Sequence, residues 1–188
     1  MSSKIINSCK SCTARCCRGL AVVLTIPEAL RLLSAIGARP EEILEFNDNI
    51  NARETPHYPL LAKKGGRVID YFIIIKRDGS DCIFLNKDRT CKIYSHRAYV
   101  CKLYPYMLDG KTIKKKILCP VKFEPEGYVE DTAKHVAEDL FTHGVLAREW
   151  SATHSEVPVM SRFLEYFSAL PGEDEGGKPG KNGKGKKA

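Results

Sequence analysis

Four cysteine thiols fall within nine residues near the start of the chain, a pattern typical of a metal-ligand array. They are Cys9, Cys12, Cys16 and Cys17. Two residues separate Cys9 from Cys12, and this spacing lets one tight turn direct two sulfurs at one metal. Because packing alone does not call for such a cluster, we interpret it as a set of ligands.

A second, looser group of four cysteines lies between residues 82 and 119. Four thiolates are the ligand set of a zinc ion or an iron–sulfur cluster, so eight thiols divide naturally into two sets of four. The adjacent pair Cys16 and Cys17 leaves two alternatives open, because neighbouring side chains in extended backbone point to opposite sides. Either two centres share this corner, or one sulfur binds while its neighbour packs. The second group is Cys82, Cys91, Cys101 and Cys119.

Size and composition describe a chain that can fold around its own core. With 188 residues, 43% of them hydrophobic, we expect one metal-binding domain over residues 1–170 and a disordered Gly/Lys-rich tail over residues 171–188. The first residues lack the apolar segment of a signal peptide, and no stretch reaches the roughly 18 apolar residues of a membrane span. We therefore expect a cytoplasmic protein with reduced thiols and no membrane partner. Four disulfides after export are the alternative.

The formal net charge of +7 is weak evidence for a nucleic-acid partner. Eight metal-bound thiolates would add negative charge that the formal count ignores, and the body of the chain would come close to neutral. A nucleic-acid interface needs a basic face that stays basic. We therefore do not expect nucleic acid as a partner.

Residues 20–46 predict a strand followed by two helices. Leu20–Leu24 is short, apolar and β-branched, as in a strand. Thr25 and Glu28 fit a capping box, in which the Thr hydroxyl caps a helix amide and the Glu side chain reaches back. This helix should run to about Ile36, and a second short helix should run over Pro40–Phe46.

The middle of the chain predicts short elements that carry the later cysteines. A loop is expected over residues 47–66, followed by a buried strand Arg67–Lys76. Turns then lead into Cys82–Leu85, into Cys91–Tyr94 and into one or two helical turns over Ser95–Leu103, capped by Ser95. Since each cysteine lies at the edge of a short element, folding could bring these cysteines together.

The C-terminal part predicts a hairpin and two helices. The hairpin should start near Pro105 and end at Cys119, and the helices should cover Asp131–Trp150 and Val157–Leu170. The expected fold class is therefore α+β: a small metal-stapled domain with short strands and hairpins around the cysteine cluster, packed with N-terminal and C-terminal helices.

The order of the cysteines and their neighbours resembles a known family. The pattern is Cys9-x2-Cys12-x3-Cys16-Cys17, Cys82-Ile-Phe-Leu85, Cys91-Lys-Ile-Tyr94, Arg97, and Cys101-Lys-Leu-Tyr104-Pro105. It is similar to the CxxCxxCC zinc- or iron-chelating domain, the YkgJ-type cysteine-cluster family, which includes flagellin lysine N-methylases. The chain departs from that family twice. Three residues rather than two precede the Cys16-Cys17 pair, and Ala98 follows the Arg where the family usually has Pro.

The resemblance implies a metal or iron–sulfur centre held by the cysteines. We expect one or two iron–sulfur clusters of the four-iron, four-sulfur type, with zinc as the alternative. Two further residues are expected to bind or surround the cofactor. Arg97 could donate hydrogen bonds to a carboxylate or a cluster sulfur, or else form a surface salt bridge, and Tyr104 could help to exclude water from the centre or exchange electrons. His96 is the one histidine within the second cysteine group, but eight sulfurs already suffice for two sites.

Three functions are compatible with these residues. The first is an iron–sulfur protein with a redox role toward an unidentified partner, either as an electron-transfer protein or as an oxidoreductase. The second is a metal-dependent enzyme like a protein lysine N-methyltransferase. It would need S-adenosylmethionine, but the chain has no glycine-rich strand–loop–helix and no radical-type three-cysteine motif. The third is a structural zinc module that presents a surface to a protein partner.

Overall fold

A computed structural model of the chain describes residues 16–48, 59–109, 112–115 and 127–169. Helices and strands are both present among them, so the predicted α+β class is confirmed. The tail over residues 171–188 lies outside the described part. In chain order the elements are β1 (Val23–Leu24), α1 (Ile26–Ile36), α2 (Pro40–Ile43), β2 (Leu44–Asn47), β3 (Leu60–Lys64), β4 (Arg67–Ile75), β5 (Arg77–Asp78), β6 (Asp81–Cys82), a 3₁₀ turn (Tyr94–His96), α3 (Tyr99–Leu103), β7 (Tyr106–Asp109), β8 (Thr112–Lys115), α4 (Gly127–Thr153) and α5 (Met160–Ser168).

Strand β4 is the centre of an antiparallel sheet. Its second half pairs with β1, where Leu24 faces Ile73, and with β2, where Leu44 faces Ile75. Its first half pairs with β3 through a hairpin that turns at Gly65-Gly66. Both glycines have positive φ, as a tight two-residue hairpin turn requires. The two remaining strand pairs, β5–β6 and β7–β8, are separate hairpins.

The largest core lies between one face of this sheet and helices α1, α4 and α5. Alternate residues of β4 point into it, as the two-residue period of a strand dictates. Trp150 of α4 joins the layers, because its indole N–H donates to the Tyr71 hydroxyl at 2.8 Å and its ring packs edge-on against Phe163 of α5. The opposite face of β4 buries a smaller set around Phe72 and Ile74.

A separate, smaller core lies under the first half of the long helix α4. It joins Leu103 of α3 and Tyr106 of β7 to Val129, Ala133 and Val136 of α4. Helix α4 therefore contacts the sheet core with one half and the α3 region with the other. No helix among the described residues is long and apolar enough to cross a membrane.

Helix α1 begins and ends where the sequence predicts. The Thr25 hydroxyl accepts a hydrogen bond from the Glu28 N–H at 3.1 Å, which is the capping interaction expected of Thr25. Gly37 ends the helix with φ 64°, in the left-handed region that favours glycine.

Several predicted elements differ from the structure. The helix expected over Pro40–Phe46 stops at Ile43, because the next four residues pair with β4 as strand β2. The loop expected over residues 47–66 contains β3, whose alternate residues Leu60 and Ala62 are buried. Ser95 does not cap α3. That helix starts after Ala98, whose side chain makes no capping hydrogen bond. For β2 and β3, pairing with β4 overrides the local preference.

Candidate metal centre

Five of the eight cysteines lie in the described part of the chain: Cys16, Cys17, Cys82, Cys91 and Cys101. All five are free thiols with half-buried side chains. Cys9, Cys12 and Cys119 lie outside the described residues. Free, partly buried thiols are suited to bind a soft metal, because the metal replaces the thiol proton and the surrounding protein limits access of water.

Backbone hydrogen bonds hold the Cys16-Cys17 corner against the β5–β6 hairpin. The Cys82 N–H donates to the Cys17 carbonyl at 2.8 Å, and the Gly19 N–H donates to the Ser80 carbonyl at 2.9 Å. Arg18, which lies between Cys17 and Gly19, forms an isolated backbone β-bridge with Asp81, and its side chain pairs with the Asp81 carboxylate at 3.5 Å. Cys17 and Cys82 are 65 residues apart in the sequence, and these hydrogen bonds make their segments neighbours.

A short loop brings Cys91 back toward Cys82. Leu85 and Cys91 form an isolated β-bridge, and the Lys92 N–H donates to the Phe84 carbonyl at 2.8 Å. The intervening turn is closed by Asp88, whose carboxylate accepts hydrogen bonds from the Thr90 N–H at 3.1 Å and from the Thr90 hydroxyl at 2.6 Å. Such local side-chain acceptors are the usual means of fixing a polar turn.

Arg97 lies among the later cysteines and binds backbone carbonyls. Its Nε donates to the Tyr94 carbonyl at 3.3 Å, and its Nη1 approaches the Cys101 carbonyl at 3.5 Å. Its guanidinium lies 3.8 Å from the centroid of the Tyr94 ring, a cation–π contact. The sequence suggested a sulfur or a carboxylate as its partner, whereas these hydrogen bonds connect the 3₁₀ turn to α3.

The adjacent thiols of Cys16 and Cys17 influence each other directly. Their Sγ atoms are 3.8 Å apart. A hydrogen bond from the Cys17 thiol lowers the pKa of Cys16 to about 7, and the positive charge of Arg97 acts in the same direction. The same hydrogen bond, together with burial, raises the pKa of Cys17. The pair therefore gives up a first proton more readily than a second.

The other three thiols are more difficult to ionise. Burial raises the pKa of Cys82, Cys91 and Cys101, and the nearby Glu28 raises that of Cys101 further. Charge on Cys16 raises the pKa of both Cys82 and Cys91, so these thiols share one electrostatic environment. A bound cation would favour the deprotonated form of all of them.

The described cysteines do not by themselves form a closed ligand set. Among residues 16–48, 59–109, 112–115 and 127–169, no three His, Cys, Asp or Glu side chains are close enough to hold one metal ion. The donor chemistry nevertheless fits a thiophilic metal, since the described cluster is made of thiols. His96, the histidine within the second cysteine group, is exposed.

Tyr104 lies at the end of α3, three residues after Cys101. Its side chain is half-buried, and its N–H donates to the Val100 carbonyl at 3.2 Å. Pro105 follows and is fully buried. The position is compatible with the water-excluding role expected of Tyr104.

Glu28 is a residue near the cluster that the sequence did not connect with it. Its carboxylate is buried, and Oε1 accepts a hydrogen bond from the Val100 N–H at 3.2 Å, next to Cys101. In the sequence, Glu28 was read only as part of the α1 cap. A contact across 72 residues leaves no local signal, so only the tertiary structure could reveal it.

Free thiols on short, hydrogen-bonded segments define a class of protein, a cysteine-cluster domain. The family model CxxCxxCC, described as "Putative zinc- or iron-chelating domain", matches residues 8–120, a span that contains all eight cysteines. The chain belongs to this CxxCxxCC family. Searches of curated proteins and of solved structures each found no match to the chain. Family membership therefore supports metal binding and is silent on zinc versus iron.

Proposed function

We propose that the chain carries an iron–sulfur cluster on its cysteines and serves in electron transfer. The observation that carries the proposal is that Cys16, Cys17, Cys82, Cys91 and Cys101 are free, half-buried thiols on segments that hydrogen bonds and β-bridges hold next to one another. Cys9, Cys12 and Cys119 complete the proposed ligand set. A cluster of this kind would supply a site that takes up one electron from a reduced carrier and gives it to an oxidised one.

The residues around the thiols would adjust such a centre. Arg97 places a positive charge near Cys16, Cys91 and Cys101. That charge adds to the lowering of the Cys16 pKa and partly offsets the rise that burial causes in the pKa of Cys91 and Cys101, so it favours the thiolates that a metal needs. Its carbonyl hydrogen bonds also fix the segment between Tyr94 and Cys101. Half-buried aromatic side chains on either side of Arg97, such as Tyr94 and Tyr104, would reduce the access of water.

A structural zinc site is the second candidate, and one observation favours it. The cysteines lie on very short elements, including two-residue strands and a five-residue helix, which gain order from a closed four-cysteine metal site. Such a site would be colourless and would not take part in redox reactions. Both candidates use the same thiols, so the identity of the bound metal separates them.

The test is anaerobic purification, followed by an absorption spectrum and by analysis of iron, sulfide and zinc per chain. A broad thiolate–iron band near about 400 nm with matching iron and sulfide is the expected result. Stoichiometric zinc in a colourless protein would replace the iron–sulfur proposal with the zinc site. A chain that retains neither metal after reconstitution would refute both. For the cysteine variants described next, the control is Ser80→Ala, a residue next to strand β6 that carries no thiol.

The number of centres is tested by the adjacent cysteines. If Cys16 and Cys17 serve different centres, Cys16→Ser and Cys17→Ser should remove different fractions of the metal. Equal, partial losses from the two variants would count against two centres. Metal per chain and the absorption spectrum are measured for both variants under the same reconstitution conditions.

A further inference from the structure

A buried carboxylate lies between the sheet core and the cysteine cluster. Glu28 is on α1, and its side chain is 3% exposed. Its Oε1 accepts the hydrogen bond from the Val100 N–H at 3.2 Å, while Oε2 is buried without a hydrogen-bond partner among the described residues. A buried carboxyl group is costly unless it makes specific contacts, so this position calls for an explanation.

Helix α3, which carries Cys101, lacks a cap of its own. The residue before the helix is Ala98, whose side chain cannot accept a hydrogen bond from the first-turn amides. The Cys101 N–H donates to the Ala98 carbonyl at 3.0 Å, whereas the Val100 N–H lies too early in the helix for such a partner and needs an acceptor from elsewhere. Glu28 supplies that acceptor to Val100, the residue immediately before Cys101.

Glu28 itself is held in place by contacts between α1 and α4. The Ile26 N–H donates to Nδ1 of the buried His143 at 3.2 Å. One turn beyond Glu28, Arg31 forms an ion pair with Asp139 of α4. The Glu28 carboxylate therefore extends from a helix that is fixed to the core, and the start of α3 is set relative to that core.

We propose that Glu28 is a positioning residue of the metal centre, because its carboxylate caps α3 and thereby holds Cys101 at the cluster. The inference deepens the proposed function and rests on it for the metal. It assigns no ligand role to Glu28. If the acceptor is lost, the position of Cys101 should therefore change more than the positions of the other described thiols.

The test compares two substitutions at position 28 with one control elsewhere. Glu28→Gln keeps an oxygen acceptor for the Val100 N–H, whereas Glu28→Met keeps the length of the side chain and removes the acceptor. Leu164→Ala, a core truncation on α5, controls for a general loss of stability. Metal affinity is measured by competition with a chelator. Glu28→Met should lose about 10- to 100-fold, as when a residue that orients a ligand is removed, and Glu28→Gln should recover most of it.

A second measurement needs no metal. In the metal-free protein, the alkylation rates of Cys101 and Cys82 are followed by mass spectrometry. Glu28→Met should speed the labelling of Cys101 about tenfold and leave Cys82 unchanged, because only the start of α3 loses its cap. Leu164→Ala should not favour Cys101 over Cys82.

The outcomes separate this inference from the proposed function. Equal labelling ratios in Glu28→Met and wild type, or equal losses of metal affinity in Glu28→Met and Leu164→Ala, would overturn the role of Glu28 while the metal centre stands. A wild-type chain that binds no metal would overturn the proposed function. In that case the labelling ratio alone decides whether Glu28 positions Cys101.

Discussion

The sheet side and the cysteine side of this molecule are stabilised in different ways. The sheet side comprises β1–β4, α1, α5 and the second half of α4, and it buries large apolar side chains such as Ile26 and Phe163. The cysteine side comprises residues 16–19 and 77–104. Its elements are two to five residues long, its thiols are half-buried, and backbone hydrogen bonds connect its segments.

The comparison indicates which side depends on metal. Burial of apolar surface stabilises the sheet side whether or not a metal is bound. The cysteine side reaches the same core through Phe84 and Ala98, with Cys82, Cys91 and Cys101 packed against it. Its very short elements nevertheless bury fewer large apolar side chains than the sheet side, and regions with few buried apolar contacts open at low free-energy cost. We therefore expect metal to add order mainly to the cysteine side, and the following variants test that difference from the largest expected effect to the smallest.

Phe163→Ala should have the largest effect on stability. Phe163 is 0% exposed and contacts the rings of Phe46, Trp150 and Phe167, so the truncation leaves a cavity in the sheet core. The free energy of unfolding should fall by about 3–5 kcal/mol, equally with and without metal, in urea titrations followed by circular dichroism. Phe141→Ala is the control, since that side chain is 76% exposed and should change stability little. A fall that appears only in the metal-free protein would contradict the independence of the sheet side.

Glu28→Gln should change how the stability of the metal-free protein depends on pH. Burial, with the nearby Asp139 charge, raises the pKa of Glu28 from 4.5 to about 7. The folded state therefore holds a proton that the unfolded state releases. The contribution of this proton to the free energy of unfolding is fully present below pH 4.5 and is lost as the pH rises through 7. The loss is up to about 3 kcal/mol, since one pKa unit corresponds to about 1.4 kcal/mol.

The measurement is a series of urea titrations from acidic to mildly alkaline pH. Wild type should lose stability across this window, and Glu28→Gln should lose less of it and become the more stable protein at the alkaline end. Glu156→Gln, an exposed glutamate outside both cores, should keep the wild-type slope. Parallel curves for Glu28→Gln and wild type would show that the Glu28 carboxyl does not cause the pH dependence.

Arg97→Lys should weaken metal binding by about tenfold and leave the sheet side intact. The guanidinium reaches the carbonyls of Tyr94 and Cys101 and lies over the Tyr94 ring, and a lysine ammonium cannot make all three contacts at once. Chelator competition measures the affinity, with Arg39→Lys on the sheet side as the matched control. Unchanged metal affinity in Arg97→Lys would remove Arg97 from the proposed centre.

Thr25→Ala should have the smallest effect of the four. It removes the hydroxyl that caps the start of α1, which typically costs about 1 kcal/mol. The loss should be similar with and without metal, because the cap belongs to the sheet side. Thermal unfolding of both forms checks this, and Thr25→Ser, which keeps a hydroxyl, should restore most of the stability.

Local chemistry made the sheet side largely predictable. The β-branched run of β4, the Thr25 cap and Gly37 were read from short-range patterns that the structure retains. The strand β3 was missed, because a strand followed by a two-glycine turn was taken as part of a loop. The predicted helix over Pro40–Phe46 was too long, since pairing with β4 turns Leu44–Asn47 into a strand.

The cysteine side was predictable in its chemistry and less so in its geometry. The residue types and the order of the cysteines identified the family, and the model match over residues 8–120 confirms it. The roles of Arg97 and Tyr104 stay predictions. The hydrogen bonds that join Cys17 to Cys82 and Glu28 to Val100 connect distant segments, so no window of the sequence contains both partners.

The sequence by itself determined the metal-chelating chemistry, because thiol spacing is a property of the covalent chain. It also determined the α+β class, because hydrophobic periodicity and capping residues act over a few positions. Only the tertiary structure decided which cysteines become neighbours, how their pKa values diverge and which core residue supports Cys101. Those features depend on burial and on contacts between distant segments, such as the one across 72 residues between Glu28 and Val100, and such contacts exist only after the chain has folded.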